Sequence, residues 1–179
     1  MQGHMTEAAS IGCDALEPDN IDIYAQEELA DLGITSEMQY AYNTWLAEAA
    51  HEMNQKIYLK NDLDQIADGG EEVPEGERGL AYIFDGLINE SCFTYTECEK
   101  ASPFRDQGKP IFVREYNVAD CTAFRRKQIE YKTGYKSIQQ IANELHLNVS
   151  ASRYENGGNP DTGGRDANAY APLCTFGTW

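Results

Sequence analysis

Four short apolar runs in this 179-residue chain end in side chains able to do acid–base or ligand chemistry. They bring Glu17, Asp19 and Asn20 after CDAL, Lys60, Asn61 and Asp62 after KIYL, Asn89 and Glu90 in DGLINE, and Arg114, Glu115 and Tyr116 after PIFV. If these runs are parallel strands lying side by side, their carboxylates converge on one mouth among amides and a lysine. Glycoside hydrolysis needs two carboxyl groups flanking the scissile bond, one to protonate the departing oxygen and one to attack the sugar or activate water. Neighbouring strands lie about 4.8 Å apart, so acids two strands apart can face each other across a sugar. Asp19 and Glu90 are separated in this way by the YLKND run. The same carboxylates would also suit a divalent cation, and an acid at a strand end is often a helix cap or a solvated loop residue. The residue types alone support a β/α enzyme with an acidic site and leave its reaction open.

The elements that must position these groups can be read from the pattern around them. CDALEPDN, KIYLKND, DGLINES, KPIFVREY and HLNVSASRY each read as a buried parallel strand with a polar C-terminal end. Between the first two, Met38, Tyr42, Trp45, Leu46, Ala49 and Met53 recur on one helical face, with Ser36 and Gln39 spaced as a capping box. Thr94 with Glu97 and Ser137 with Gln140 repeat that spacing, the second ahead of the stripe Ile138, Ile141, Ala142 and Leu145. MTEAAS looks helical and runs directly into the first strand, and residues 69–79, GGEEVPEGERG, read as a surface loop.

Strand and helix thus alternate, which predicts a parallel α/β sheet with crossover helices, either doubly wound or a β/α barrel. No G-x-G-x-x-G or P-loop follows any strand, so the nucleotide-binding open sheets lose their best signature. Acids at several strand ends, not at one switch point, favour the barrel.

Thirty Asp and Glu against 14 Lys and Arg give a net charge of −16, which repels nucleic acid and anionic membranes and attracts polycations. The chain shows no run of about 18 apolar residues, as a spanning helix would need, and MQGHMTEAAS lacks the apolar stretch of a signal peptide. Five cysteines leave one over after pairing. Cys13, in the apolar-leaning IGCDAL, is expected to be a buried free thiol. In an oxidising compartment Cys92 and Cys98 could close a short loop and Cys121 and Cys174 could tie down the tail. The C-x5-C spacing, with no nearby His, is poor for zinc. Asn89-Glu90-Ser91 and Asn148-Val149-Ser150 are N-glycosylation sequons.

From about Gly12 to Tyr116, the segments GCDALEPDNIDIYA, YNTWLAEAAHEMNQKIYLKNDLDQI, LINESCFTYTEC and PIFVREY together resemble glycoside hydrolase family 114, the endo-α-1,4-polygalactosaminidase family. EPDN followed by LKNDLDQ and NE-x-C-F-x-Y-x-x-C is the specific part, and beyond Tyr116 the likeness is loose. The resemblance implies a TIM-barrel enzyme, secreted and free of cofactor or metal, that cleaves within α-1,4-linked galactosamine polymers. It makes Asp19 and Glu90 the catalytic pair, with the order of acid and nucleophile or base open. Glu17, Asn20, Tyr24, Lys60, Asn61, Asp62, Asn89, Glu115 and Tyr116 become substrate contacts, and Cys92 and Cys98 a disulfide. A deacetylated galactosamine polymer is cationic, which gives the acidic charge a physical use.

Relatives of this kind carry about three further strand–helix units ahead of the GCDALEPDN strand, and a closed barrel typically takes about 250 residues. The expectation is therefore a partial barrel over residues 5–156, lacking its N-terminal units, with a loop-rich tail over 157–179. Two other readings stand beside it: a non-catalytic carbohydrate-binding or interaction protein derived from the same barrel, and an α-galactosidase-like hydrolase of a neutral sugar.

Overall fold

The computed structural model describes residues 2–152, 158–159, 164–165 and 174–177; the rest of the tail expected over 157–179 lies outside the described residues. In chain order the elements are α1 (Gln2–Ser10), β1 (Ala15–Leu16), α2 (Ser36–Glu52), β2 (Lys56–Lys60), β3 (Gly86–Glu90), α3 (Cys92–Tyr95), α4 (Ser102–Asp106) and β4 (Ile111–Glu115). They continue with α5 (Cys121–Arg126), β5 (Gln128–Tyr131), β6 (Gly134–Ser137), α6 (Ile138–Glu144), β7 (Leu147–Ala151), the two-residue strands β8 (Gly158–Asn159) and β9 (Gly164–Arg165), and β10 (Cys174–Gly177). All five strands read from the sequence are present. The chain forms two compact units, one of Met1–Ile88 with Asp106–Lys109 and one of Asn89–Arg105 with Pro110–Trp179.

In the first unit β1 runs parallel to β2, and β2 parallel to β3, in the register Ala15 to Lys56 and Lys60 to Ile88. Helix α2 packs on β2. It starts at Thr35, whose hydroxyl accepts from Met38 N at 3.2 Å, so the cap lies one residue before the Ser36 expected from the S-x-x-Q spacing. The buried face also differs from the expected one. Leu46 and Ala49 of the expected stripe are buried, but they are joined inside by Gln39, Tyr40, Asn43, Ala47 and Ala50, whereas Met38 is 58% exposed and Tyr42 and Trp45 are each 39% exposed. Counting apolar residues misplaced the stripe because this helix buries two amides, which a hydropathy pattern assigns to solvent. Leu46, Ala47, Ala50, Ile57, Leu59, Phe84 and Leu87 form the apolar interior of this unit. The loop over 69–79 is closed by Asp68, which accepts from Arg78 Nε at 2.9 Å and from Gly79 N at 2.7 Å. Only glycine fits at position 79, since a Cβ there would stand 2.2 Å from the Ile66 carbonyl oxygen.

In the second unit β4 pairs parallel with β7, and β10 returns antiparallel on the other side of β7. Ser137 and Gln140 form the expected capping box, and Ile138, Ile141, Ala142 and Leu145 are buried as the stripe predicted. Strict strand–helix alternation fails here. An antiparallel hairpin, β5 with β6, precedes α6, and β10 adds an antiparallel edge; the exposed tip Lys132–Thr133–Gly134 and the polar strands left no apolar run to read. The Thr94–Glu97 spacing does not begin a helix either: α3 is already under way at Thr94, and Ser91, at φ 60°, precedes it.

Both expected pairs, Cys92–Cys98 and Cys121–Cys174, are disulfides. Cys13 is a free thiol but exposed; residues 11–13 form a turn between α1 and β1 instead of joining the interior. Asn89 of the first sequon is only 2% exposed, so the folded chain presents no accessible amide there.

The two disulfides span 6 and 53 residues of sequence, and cross-linking removes more unfolded-chain entropy for the longer loop. Replacing Cys121 and Cys174 with Ser is expected to lower stability by about 4 kcal/mol and the Cys92 and Cys98 pair by about 2 kcal/mol. Denaturant melts of the two double variants test the order, and a larger loss for the short loop would contradict it.

Candidate functional site

Each strand read as carrying chemistry is followed by a non-glycine residue in the left-handed region: Asn20 (φ 54°), Asn61 and Asp62 (φ 52° and 47°), Ser91 (φ 60°) and Asn117 (φ 58°). Asn and Asp tolerate this conformation because their short polar side chains can satisfy the turned backbone. The turns bend the chain at the strand ends, and after β2 the Asn61 N–H still donates to Ile88 O at 2.9 Å.

In the first unit, Lys60 closes β2 with its side chain almost wholly buried. Its ammonium donates to Glu17 Oε1 at 2.9 Å and to Asp19 Oδ1 at 3.1 Å, while the Glu17 and Asp19 side chains remain 45% and 64% exposed. A buried cation is costly unless paired, so Lys60 fixes the direction in which the EPDN acids point.

Asp62, 4% exposed, accepts from the Tyr24 hydroxyl at 3.1 Å and from Asn43 Nδ2 at 2.8 Å. Asn43 Nδ2 also donates to Ile21 O, Gln39 Nε2 donates to Asn43 Oδ1 at 2.9 Å, and Gln39 Oε1 accepts from Ile23 N. Burial pushes the Asp62 carboxyl up to about 7, against the opposing pull of its two donors. Burial, followed by the nearby Asp62 charge, also holds the Tyr24 phenol far above its ordinary range.

In the second unit, Glu90 ends β3 half-buried and accepts a short hydrogen bond from the Tyr116 hydroxyl. Glu115, which precedes Tyr116 and ends β4, is fully buried. It accepts from Phe93 N at 2.9 Å and from the Thr94 hydroxyl at 3.2 Å, and burial pushes its carboxyl up to about 7. Ser91 N donates to Arg114 O at 2.7 Å. The end of β4 thereby holds both Glu90 and the turn that follows it. The Arg114 guanidinium donates to Ser150 Oγ at 2.6 Å and lies 5.6 Å from the Tyr116 ring centre.

The residues singled out from the sequence thus fall into two groups. Glu17 and Asp19 each bond Lys60, and Tyr24 bonds Asp62, all in the first unit; Tyr116 bonds Glu90 in the second. Asp62 and Glu115 spend their oxygens on the protein itself. Asn43 and Gln39 were not anticipated, although two amides four residues apart, inside a helix otherwise rich in Ala and aromatics, are a readable signal. Among the described residues no three His, Cys, Asp or Glu side chains converge as a metal ion would require, and no helix is long and apolar enough to cross a membrane.

Asp62 and Glu115 make the stability of the chain depend on pH. Their folded values, about 7, lie above the ordinary 3.8 and 4.5. Between about pH 4 and 7 the folded chain therefore keeps protons that the unfolded chain has released, and the contribution of both groups to stability falls as pH rises through that window. Asp62→Asn and Glu115→Gln imitate the protonated forms. Each is expected to gain in melting temperature relative to the parent as pH goes from 4 to 7.5, measured by calorimetry. Parallel profiles for variants and parent would rule this out.

Comparison with curated proteins returns no significant match. Among solved structures, the chain is similar to that of Aspergillus fumigatus Ega3 in complex with galactosamine, at 26% identity and a TM-score of 0.61. The match covers 84% of this chain and 54% of that one, so the chain spans about half the length of Ega3. Residues 1–157 match the family model for glycoside-hydrolase family GH114; with most of its length inside that match, the chain belongs to glycoside-hydrolase family GH114.

Proposed function

We propose that this chain is a glycoside hydrolase that cleaves internal α-1,4 linkages of a galactosamine-containing polysaccharide, with Asp19 and Glu90 as its paired carboxylates. The observation that carries this reading is membership of the family over residues 1–157. It is supported by the galactosamine bound in the Ega3 complex. The parallel strands with polar C-terminal ends are read as part of a β/α barrel, whose chemistry sits at that face.

The local geometry suits the roles. Lys60 sets a positive charge 3.1 Å from Asp19 and aims its carboxylate, and the Tyr116 hydroxyl orients Glu90. One carboxyl protonates the glycosidic oxygen as the bond breaks; the other attacks the anomeric carbon or takes a proton from the attacking water. Glu17 and Asn20 flank Asp19, Asn61 follows Lys60, and Asn89 precedes Glu90, which makes them the nearest candidates for sugar contacts. Tyr24, Asp62 and Glu115 act from behind, holding the strand ends. A polymer of free amines is drawn to a chain of net charge −16. Two disulfides suit an oxidising, extracellular setting.

Release of reducing ends from a partially deacetylated galactosamine polymer tests the proposal. Asp19→Asn and Glu90→Gln are each expected to reduce turnover by roughly 10²–10⁴-fold while leaving polymer binding in place. Binding without turnover by the parent chain would instead establish a carbohydrate-binding protein, and turnover only of neutral galactans would establish an α-galactosidase-like hydrolase. Equal rates for parent and variants would remove Asp19 and Glu90 from the chemistry.

A further inference from the structure

Beside Asp19, within the first unit, lies a cavity of about 580 Å³ that the two-carboxylate chemistry does not use. Its walls are Pro18, Ile21, Ile23, Ile34, Met38 and Tyr42, with Asp19, Asn20 and Gln39 as the polar members. Gln39 has little to offer a ligand, because its amide oxygen is taken by Ile23 N and its nitrogen donates to Asn43. The cavity is thus apolar in its walls and acidic where Asp19 joins it. Outward along α2 it continues onto Met38 and onto Tyr42 and Trp45, whose rings stack with centres 5.8 Å apart. This is the same exposed apolar stripe that hydropathy had assigned to the interior. A size of several hundred Å³, mostly apolar lining and a few placed polar groups are the properties of a small-ligand site.

We propose that this cavity is a saccharide subsite that selects an N-acetylated hexosamine residue of the polymer, next to the residues bound at Asp19. The inference rests on the hydrolase reading for its polymer, and the cavity's own chemistry decides the occupant. A free ammonium inside these walls would lose its hydration with only the partly exposed Asp19 carboxylate nearby, and that carboxylate is already shared with Lys60. An acetamido group carries no charge and turns a methyl toward Ile23, Ile34 and Met38. The flat faces of Tyr42 and Trp45 offer a surface for the apolar face of the following ring. Together the acidic strand ends and this apolar cavity would read a mixed polymer, taking amines at one position and an acetamide at another.

The probes are two α-1,4-linked galactosamine tetramers, one with all amines free and one carrying a single N-acetyl group, titrated calorimetrically into the full chain bearing Glu90→Gln to prevent turnover. The mono-acetylated tetramer is expected to bind roughly tenfold or more tightly, the range for one methyl-sized group entering an apolar pocket. Met38→Gln with Ile34→Asn, which change only the wall that the acetamido methyl meets and sit at largely and partly exposed positions, should abolish that preference and leave affinity for the free-amine tetramer within about twofold. Equal or tighter binding of the free-amine tetramer, no binding of either, or a preference that survives the double variant would overturn the subsite. A dimer of the parent chain that the same variant dissociates, seen by light scattering, would overturn it in favour of a second copy. Acetyl-dependent binding by a chain that releases no reducing ends would keep the subsite and reject the hydrolase reading.

Discussion

The side-chain amide of Asn43 stands where three parts of the first unit must meet. Buried in α2, it donates to the Ile21 carbonyl that follows EPDN and to the carboxyl of Asp62 at the end of β2. A buried amide left without partners costs more than the net gain from any one of its bonds, so helix, loop and strand end are fixed as one set or not at all. Gln39 extends the set to Ile23, and Asp62 extends it to Tyr24. The loop that carries Asp19 is therefore tethered on its C-terminal side by backbone bonds to α2 and from below by Lys60. A loop bearing a reacting group gains from such anchoring because misplacement of about an ångström can cost about a hundredfold in rate.

The second unit solves the same problem with a carboxyl in place of an amide. Glu115 has no exposed surface and accepts from the backbone of Phe93 and the hydroxyl of Thr94, gripping the short helix that begins one residue after Ser91. That helix is closed on its far side by Cys92–Cys98. Glu90 is thus followed at once by a left-handed turn, a clamped helix and a disulfide, while the neighbouring Tyr116 reaches its carboxyl. Two adjacent residues of one strand end divide the work: Glu115 faces inward and holds the backbone, and Tyr116 holds the side chain that would react. Alternation along an extended strand makes that division possible.

The strands were legible because each is a short apolar run bounded by polar residues, a pattern that survives without knowledge of partners. The capping box at Ser137 and the stripe of α6 were legible for the same reason, since both are local. What escaped was set by distant contacts. The face of α2 was misassigned because Gln39 and Asn43 are buried for the sake of loops some 16 to 22 residues away in sequence. Cys13 was expected in the interior from its apolar neighbours, but a turn carries it outside. The hairpin β5–β6 is too polar to stand out. At the strand ends the residue types alone supplied candidate acids, and the family resemblance ranked Asp19 and Glu90 first; burial then sets Asp62 and Glu115, whose oxygens are spent on the protein, apart from Asp19 and Glu90, which keep part of their side chains exposed.

That separation bears on how an acidic chain can keep carboxyls at its working face. Each exposed acid repels its neighbours, and a net charge of −16 makes the cost general. The two buried carboxyls, pushed toward neutrality by desolvation, add structure near the strand ends without adding a full charge there. Lys60, itself buried, sets a cation between Glu17 and Asp19. The remaining negative charge lies on acids that keep contact with water, where hydration screens it instead of straining the interior. Burial therefore does two jobs in this chain: it favours the protonated form of Asp62 and Glu115, and by excluding water around Lys60 it strengthens the pull of that cation on the acid expected to react.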